Sequence, residues 1–440
     1  MHRLPAKFIE NMKKQLPENE WEAFFACYEE KPYKGVRLNP LKGGRYALKS
    51  ILPFLGDGVE WEENGFYTDE EKLGGNPLHF AGAFYSQEPS AMCAAPLLEV
   101  KAGERVLDLC SAPGGKGTQL GCNMDGKGII VLNEPISSRA RILSQNVERM
   151  GIKNAVVLNE YPQTLAGKFQ GYFDKILVDA PCSGEGMFRK NADEALGEWS
   201  EENVALCAQR QKEILDCATK MLAVGGRLVY STCTFAIEED EGQVRDYLQN
   251  HPEMRLIKQE KLYPHKVKGE GHFAALFEKT ERTEEWDCRL KDMRRSATSS
   301  GEKAYREFEK DFFKGKFAHR LHEVGGVLYE LPENVFDWKG LQVLRVGVRL
   351  GEVKNGRFEP SHSLATVVKA EECRRVINLD IDDMRVEKYL RGETIDGDIA
   401  NGWCLVCVCG LPLGLGKAVN GTVKNHFPKG LRKMGPTLSF

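Results

Sequence analysis

The chain has 440 residues, 42% of them hydrophobic and 28% charged, a globular composition long enough for about two to four domains. Its formal net charge of −3 excludes an overall basic coat, so any grip on nucleic acid must come from local patches. No apolar run reaches the roughly 18–20 residues of a membrane span, and the opening Met-His-Arg-Leu-Pro-Ala-Lys has no signal-peptide apolar region. A cytoplasmic protein, off the membrane, is expected. The 13 cysteines lack framework spacing, so reduced thiols are expected. Cys404, Cys407 and Cys409 form a tight cluster without a second ligand group at finger-like spacing. They read as buried strand thiols, and no metal is expected.

Residues 6–16 and 17–30 read as helices, the second opened by Pro17, which suits a helix start. A basic, short-stranded stretch follows from Lys31 to Lys42, and nine Lys or Arg lie between Lys7 and Lys49. These form either a solvated face or a small α+β module lying on phosphates. The stretch from Phe84 to Met92 leads into a helix at 93–98. From Gly103 onward, apolar strands at 105–109, 128–133, 155–158, 173–178, 226–230 and 272–278 alternate with helical periods. One helix has Ser137 as its cap, Ala140, Leu143, Val147 and Met150 on one face, and Gly151 as its stop. Another spans 202–222. This alternation predicts a doubly wound α/β sheet. Residues 279–320 are dense in charge and read as a linker or exposed helix, not a core. Beyond them 341–350 and 403–409 read as strands, with a charged helical patch at 382–391 between. No Asp or Glu follows Asp398, whereas Lys417, Lys424, Lys429, Arg432 and Lys433 do, beside His426 and Phe427. The segment is either an ordinary free tail or, on a strand-rich module, a nucleic-acid surface.

Three stretches carry chemistry. The first is Asp108-Leu109 followed by Cys110, Ser111, Ala112, Pro113, Gly114, Gly115 and Lys116, a strand entering a tight glycine turn that opens a helix. Gly114 and Gly115 let backbone approach a ligand closely. The spacing is neither the dinucleotide fingerprint nor a P-loop. The next strand ends at Glu134, where an acid can accept hydrogen bonds from ribose hydroxyls. The other two stretches are Asp179-Ala180-Pro181-Cys182-Ser183-Gly184 and Ser231-Thr232-Cys233-Thr234, each just beyond an apolar strand. At the carboxyl edge of an open α/β sheet such groups face a crevice; two merely buried thiols are the alternative. A thiolate suits reversible addition to an electrophilic carbon. Addition to C6 of cytosine would activate C5 for methylation, and a carboxyl such as that of Asp179 could hydrogen-bond near N3.

These motifs, with Tyr85-Ser-Gln-Glu-Pro-Ser90 upstream and Asn425-His-Phe-Pro-Lys-Gly-Leu-Arg432 at the end, resemble the Sun-type RNA cytosine-5 methyltransferases, and among them the bacterial ribosomal-RNA methyltransferase F group. The resemblance implies a Rossmann-like S-adenosylmethionine-dependent core flanked by an N-terminal RNA-binding module and a strand-rich C-terminal PUA-like domain. The layout expected is 1–78, 79–283, a charged linker at 284–322, and 323–440. It implies S-adenosylmethionine held by residues 110–116, Glu134 and Asp179, with Cys233 as nucleophile and Cys182 assisting product release. By analogy with DNA cytosine-5 methyltransferases, the Pro-Cys loop would instead make Cys182 the nucleophile. The implied partner is ribosomal RNA or the small ribosomal subunit, contacted by Lys424, Lys429 and Arg432, with the protein acting as a monomer. Where many relatives carry an acid after the third strand, this chain reads Leu158-Asn159-Glu160-Tyr161, so either Asn159 or Glu160 is expected to meet the adenine end. An RNA-binding assembly factor on the same fold and a dehydrogenase are the competing classes. The retained thiols oppose the first, and the missing dinucleotide fingerprint opposes the second.

Overall fold

In the computed structural model, which describes residues 4–281, 290–293 and 296–433, an eight-stranded sheet forms the centre. Its strands are β1 (Arg105–Asp108), β2 (Ile129–Asn133), β3 (Ala155–Leu158), β4 (Phe173–Asp179), β5 (Leu222–Thr232), β6 (Met254–Leu262), β7 (His272–Lys279) and β8 (Val343–Val346). They lie in the order β8-β3-β2-β1-β4-β5-β7-β6. Strands β1 to β5 are parallel, while β7 runs antiparallel between β5 and β6. The order reverses between β1 and β4, the point at which an open α/β sheet leaves a crevice at its carboxyl edge.

The inner parallel strands carry apolar runs because both faces are covered. Val106, Ile130, Leu132 and Val157 pack on one side with Leu143 and Val147 of the helix α1 (Ser137–Met150). Leu107, Val131, Leu158 and Ile176 pack on the other with Leu215 and Ala218 of the helix Glu201–Met221. Each fully buried large aliphatic side chain contributes about 1.5–3 kcal/mol. Gly151 ends α1 with a φ of 73°, as predicted. Ser137 is not the cap: Ile136 occupies that position without a side-chain bond, and its N–H donates instead to the Glu134 carboxylate at 2.9 Å.

The segment 341–350, predicted as one strand, is two. β8 pairs antiparallel with β3 and thereby extends the central sheet, whereas Val348–Lys354 joins a four-stranded sheet. Gly347 makes the break, with a φ of 52° and room for no Cβ, since one would lie 2.1 Å from the Glu330 carbonyl. The reading of 279–320 as lacking a core is also corrected. Ser299–Phe312 is a helix that buries Ala304, Tyr305, Phe308 and Phe312 against Val348, Leu350 and Leu405; of its charged residues Glu309 is buried too, accepting the Phe317 and Ala318 N–H groups. Residues 282–289 and the Arg294-Arg295 pair within that stretch lie outside the described residues.

The flanking modules share a core. The N-terminal sheet orders Gly65–Tyr67, Gly35–Leu38 and Phe84–Ser86, so this last strand, beyond residue 78, pairs with N-terminal chain. Val36, Leu38, Phe66 and Phe84 pack with Val406, Leu413 and Phe427 of the C-terminal module, whose five-stranded sheet includes Gly402–Val408 and Leu411–Val419. Cys404 and Cys407 are buried there in separate clusters, as strand thiols. Two of the nine basic residues are withdrawn from any phosphate-facing role. Arg37 is buried, and Lys42 donates its ammonium to the Thr366 carbonyl, with burial pulling its pKa down to about 8.

Candidate active site

A cleft of about 870 Å³ opens along the carboxyl edge of the central sheet. Cys110, Ser111, Ala112, Pro113, Gly115 and Lys116 line it, as do Glu134, Asp179, Cys182 and Cys233. Every predicted donor-loop and catalytic residue except Gly114 therefore meets in one cavity. Gly114 takes a φ of 114°, and a Cβ on it would face Leu143 at 3.2 Å. Its absent side chain serves the turn, not the ligand. Gly117 is the position where close approach is needed, because a Cβ would lie 2.3 Å from Ser111 Oγ and 2.7 Å from Asp108 Oδ2.

Asp108 ends β1 fully buried. Neither its carboxylate oxygens nor Ser111 Oγ has a hydrogen-bond partner among the described residues. Burial pushes the Asp108 pKa up to about 7, with Ser111 beside it pulling the other way. Buried polar atoms without partners are costly, and here they sit at the glycine turn, where a ligand's hydroxyl or amino groups would satisfy them. Glu134, also buried, lies 3.4 Å from the Arg139 guanidinium, which in turn donates to the Ala112 carbonyl at 3.0 Å. Asn133 ties the strand ends together, its amide donating to Leu109 O at 3.2 Å and Glu160 O at 2.9 Å.

Asn159 and Glu160 do not reach the cleft. Asn159 donates to the carbonyls of Glu134 at 2.7 Å and Pro135 at 2.9 Å, and Glu160 accepts the Gln342 N–H at 2.7 Å. The loop after β2 takes the first, and the segment that enters β8 takes the second. The residues at that end of the cavity are Ile136, Tyr161 and Pro162, half or more of Ile136 and Tyr161 being exposed at 51% and 69%. Sequence reasoning missed them, although an exposed aromatic directly after a strand is a signal for a stacking surface.

In the middle of the cleft, Asp179 accepts from the Lys116 ammonium at 2.9 Å and from Ser231 Oγ at 2.9 Å. Burial draws the Lys116 pKa down, but the Asp179 charge outweighs it and holds the ammonium above its usual range. The sulfurs of Cys182 and Cys233 are 3.2 Å apart, and the Cys233 N–H points at Cys182 Sγ at 3.3 Å. Parallel pairing of β4 with β5 puts Asp179 beside Ser231 and so brings the two following loops together. The hydrogen bond with Cys233, then burial, push the Cys182 thiol well above its ordinary pKa. Cys110, a third thiol at the cleft, is driven well up by burial and then by the charges of Asp108 and Asp179, which removes it as a nucleophile.

Two acids fasten these loops. Glu239 accepts the Ser183 N–H at 3.0 Å and the Gln211 amide at 2.7 Å. Glu185 accepts the Phe235 N–H at 3.1 Å and the Trp199 indole at 3.0 Å. Ser183 Oγ and Thr234 Oγ1 lie 2.8 Å apart. Lys424, Lys429 and Arg432 are outside the cleft, and Arg432 is already committed, donating to Phe427 O at 3.3 Å. Among the described residues no group of three His, Cys, Asp or Glu is placed to hold a metal, and no helix is long and apolar enough to cross a membrane.

Residues 95–284 match the family described as 16S rRNA methyltransferase RsmB/F. Residues 4–89 match the N-terminal domain of 16S rRNA methyltransferase RsmF, 307–367 its first C-terminal domain, and 376–433 its PUA domain. The ribosomal RNA small subunit methyltransferase F of Vibrio cholerae is 31% identical across 97% of this chain and 97% of its own length. The protein of the same name from Shewanella sp. is 30% identical across 98% of both. Among solved structures, a methyltransferase homologue from Pyrococcus horikoshii superposes with a TM-score of 0.57 at 26% identity, covering 63% of this chain and 96% of that one. NSun6 from the same organism, solved with SFG, shares the fold at 22% identity, with a TM-score of 0.56 over 63% of this chain and 99% of that one. The glycine turn, the unsatisfied Asp108 and Ser111 groups and the cavity fit S-adenosylmethionine, the cofactor of an RNA methyltransferase of this kind. The chain belongs to the ribosomal RNA small subunit methyltransferase F family.

Proposed function

We propose that the chain methylates C5 of a cytosine in small-subunit ribosomal RNA, with a transient bond from Cys233 Sγ to C6 of the base. The observation that carries this reading is the 3.2 Å approach of the Cys182 and Cys233 sulfurs in the same cleft as the glycine turn. S-adenosylmethionine would supply an electrophilic methyl group on a sulfonium. The 110–116 turn and Glu134 would hold it, with Ile136 and Tyr161 at its adenine end. Cys233, its thiol proton lost to solvent, adds through Sγ to C6; the Lys116–Asp179 pair would face the polar edge of the ring, where the ammonium stabilises the negative charge that spreads toward N3 and the carboxylate accepts from the exocyclic amino group. While the sulfurs share a hydrogen bond, Cys182 keeps its proton. Once Cys233 is bonded to carbon and the methyl group is on C5, Cys182 releases its proton to water and, as a thiolate, takes the C5 proton; the C5–H electron pair forms the C5=C6 double bond, the C6–S bond breaks, and its pair returns to Cys233.

The N-terminal and PUA modules would hold the RNA, either naked or in the assembled subunit, with the enzyme acting as a cytoplasmic monomer. The target base must leave its stack before C6 is accessible, which favours a looped or single-stranded cytosine. Cys233→Ala and Cys182→Ala variants given small subunits and labelled methyl donor test the roles. Cys233→Ala is expected to give no methylation and no covalent RNA adduct. Cys182→Ala is expected to attack and stall, leaving a denaturation-resistant RNA–protein band. The opposite pattern would assign the attack to Cys182.

A further inference from the structure

His272 opens β7 on the wall of the cleft, beside the loop that carries Cys233. It lines the cavity, is 1% exposed, and neither ring nitrogen meets a hydrogen-bond partner among the described residues. Buried imidazoles are normally anchored through at least one nitrogen, so an unpartnered one on a cavity wall points to a ligand. The sheet fixes its place. Phe273 pairs with Thr232 across the antiparallel β7–β5 ladder, which sets His272 abreast of Cys233. Across the sheet the cleft therefore reads Tyr161 after β3, Glu134 after β2, the turn after β1, Cys182 after β4, Cys233 after β5 and His272 at β7.

We infer that His272 contacts the target pyrimidine, its ring N–H donating to the carbonyl oxygen O2 of the base held over Cys233. The inference rests on the reading of Cys233 as the attacking thiol. With C6 at that sulfur, C5 must face the donor turn to receive the methyl group. C2 is diametrically opposite C5 in a six-membered ring, so O2 faces away from the turn, toward β7. O2 only accepts hydrogen bonds, and a neutral imidazole has one N–H to give. Burial, with the Lys116 charge nearby, keeps the ring neutral. His272 would thus fix the ring's rotation about Cys233, aligning C5 with the methyl group, while Lys116 and Asp179 take the N3 side. Every pyrimidine has O2, so the contact orients the base and leaves discrimination of cytosine from uracil to that pair.

The test compares the full-length wild type with His272→Phe and His272→Asn, using 16S rRNA transcripts and small subunits as probes. His272→Phe keeps a flat ring but has no donor. Its kcat/KM for RNA is expected to fall roughly 10–100-fold, while its S-adenosylmethionine Kd measured by calorimetry stays at the wild-type value. Its Tm should hold or rise, because an unsatisfied polar group has been removed. His272→Asn, which restores a donor, should recover part of the lost rate. A wild-type kcat/KM in His272→Phe overturns the inference. So does a loss confined to donor affinity, or a fall in activity that follows a fall in Tm and is not rescued by Asn. A wild-type chain that places no methyl group on cytosine C5 overturns the parent reading, and this inference with it.

Discussion

The guanidinium of Arg37 donates to the carbonyl oxygen of Gly115 at 3.0 Å. Arg37 belongs to the N-terminal strand Gly35–Leu38 and Gly115 to the donor turn, so the N-terminal module holds that turn from behind. The same guanidinium reaches Thr118 Oγ1 at 2.9 Å and Gln87 Oε1 at 2.9 Å, and Thr118 Oγ1 closes on Gly114 O at 2.6 Å. A module expected to lie on RNA is thereby also part of the cofactor site's frame.

Arg37→Met keeps the aliphatic stem and removes the fork, leaving Gln87 Oε1 without its donor and taking one donor each from Gly115 O and Thr118 Oγ1. Stability is expected to drop by about 2–4 kcal/mol, the range for breaking a buried charge-assisted network. Because the Gly115 carbonyl loses its anchor, S-adenosylmethionine affinity should fall about tenfold, near 1.4 kcal/mol. Thermal denaturation and calorimetry separate the two effects, and an unchanged Kd would confine Arg37 to stability.

Asp108 makes the pH dependence of stability directional. Its folded pKa of about 7 lies above its ordinary 3.8. Below the ordinary value both folded and unfolded chains hold the proton and no penalty applies. As pH rises from about 4 to about 7 the unfolded chain releases it while the folded one retains it, so stability falls, by up to about 4 kcal/mol, and then levels off. Glu239 and Asp240, raised by burial to about 7 and about 8, act with the same sign. Asp108→Asn should therefore gain in Tm over the native chain between about pH 5 and about pH 8. A constant Tm difference across that range would show that Asp108 ionises normally.

The tail residues divide. Lys424 and Lys429 form no ion pair among the described residues, and Lys424 stands on the strand Thr422–Asn425. Replacing both with Ala should reduce the slope of log affinity for RNA against log salt by roughly 0.7–0.9 for each phosphate left without its lysine, with donor Kd unchanged. Arg432→Ala should leave the slope alone and lower Tm, since its guanidinium is spent on Phe427 O. A slope change in Arg432→Ala with none in the lysine variant would reverse the assignment.

The elements legible in the sequence were those whose signal is local. β1 to β4 alternate with helices, and they and β7 carry apolar runs bounded by turn residues, while the turns after β1, β4 and β5 carry their chemistry within a few residues. β6 was not legible. Its residues Met254–Leu262 are mostly exposed and charged, as suits a sheet edge that must not pair with another chain, and the apolar pattern that marks a buried strand is missing. β8 was misread for a different reason: a single glycine redirects one continuous strand-like stretch between two sheets, and nothing local says where each half goes.

The site divides along the same line. By itself the sequence determined which chemical groups end the central strands: the glycine turn, Glu134, Asp179, Cys182 and Cys233. Parallel pairing is already implied by the α/β alternation, and groups at the carboxyl ends of parallel strands lie along one edge of the sheet. Only the tertiary structure decided what surrounds them. Asn159 lost its expected role to the carbonyls of Glu134 and Pro135, and Glu160 lost it because the segment entering β8, nearly two hundred residues away in the chain, claims its carboxylate. Arg37 gained one because a separate sheet packs behind the turn, and His272 became a cleft residue only through its antiparallel pairing beside Cys233. A residue's type and immediate neighbours fix what it can donate or accept. Which partners use that capacity is fixed by contacts between distant segments, which form only as the chain folds and leave no period or spacing in the sequence.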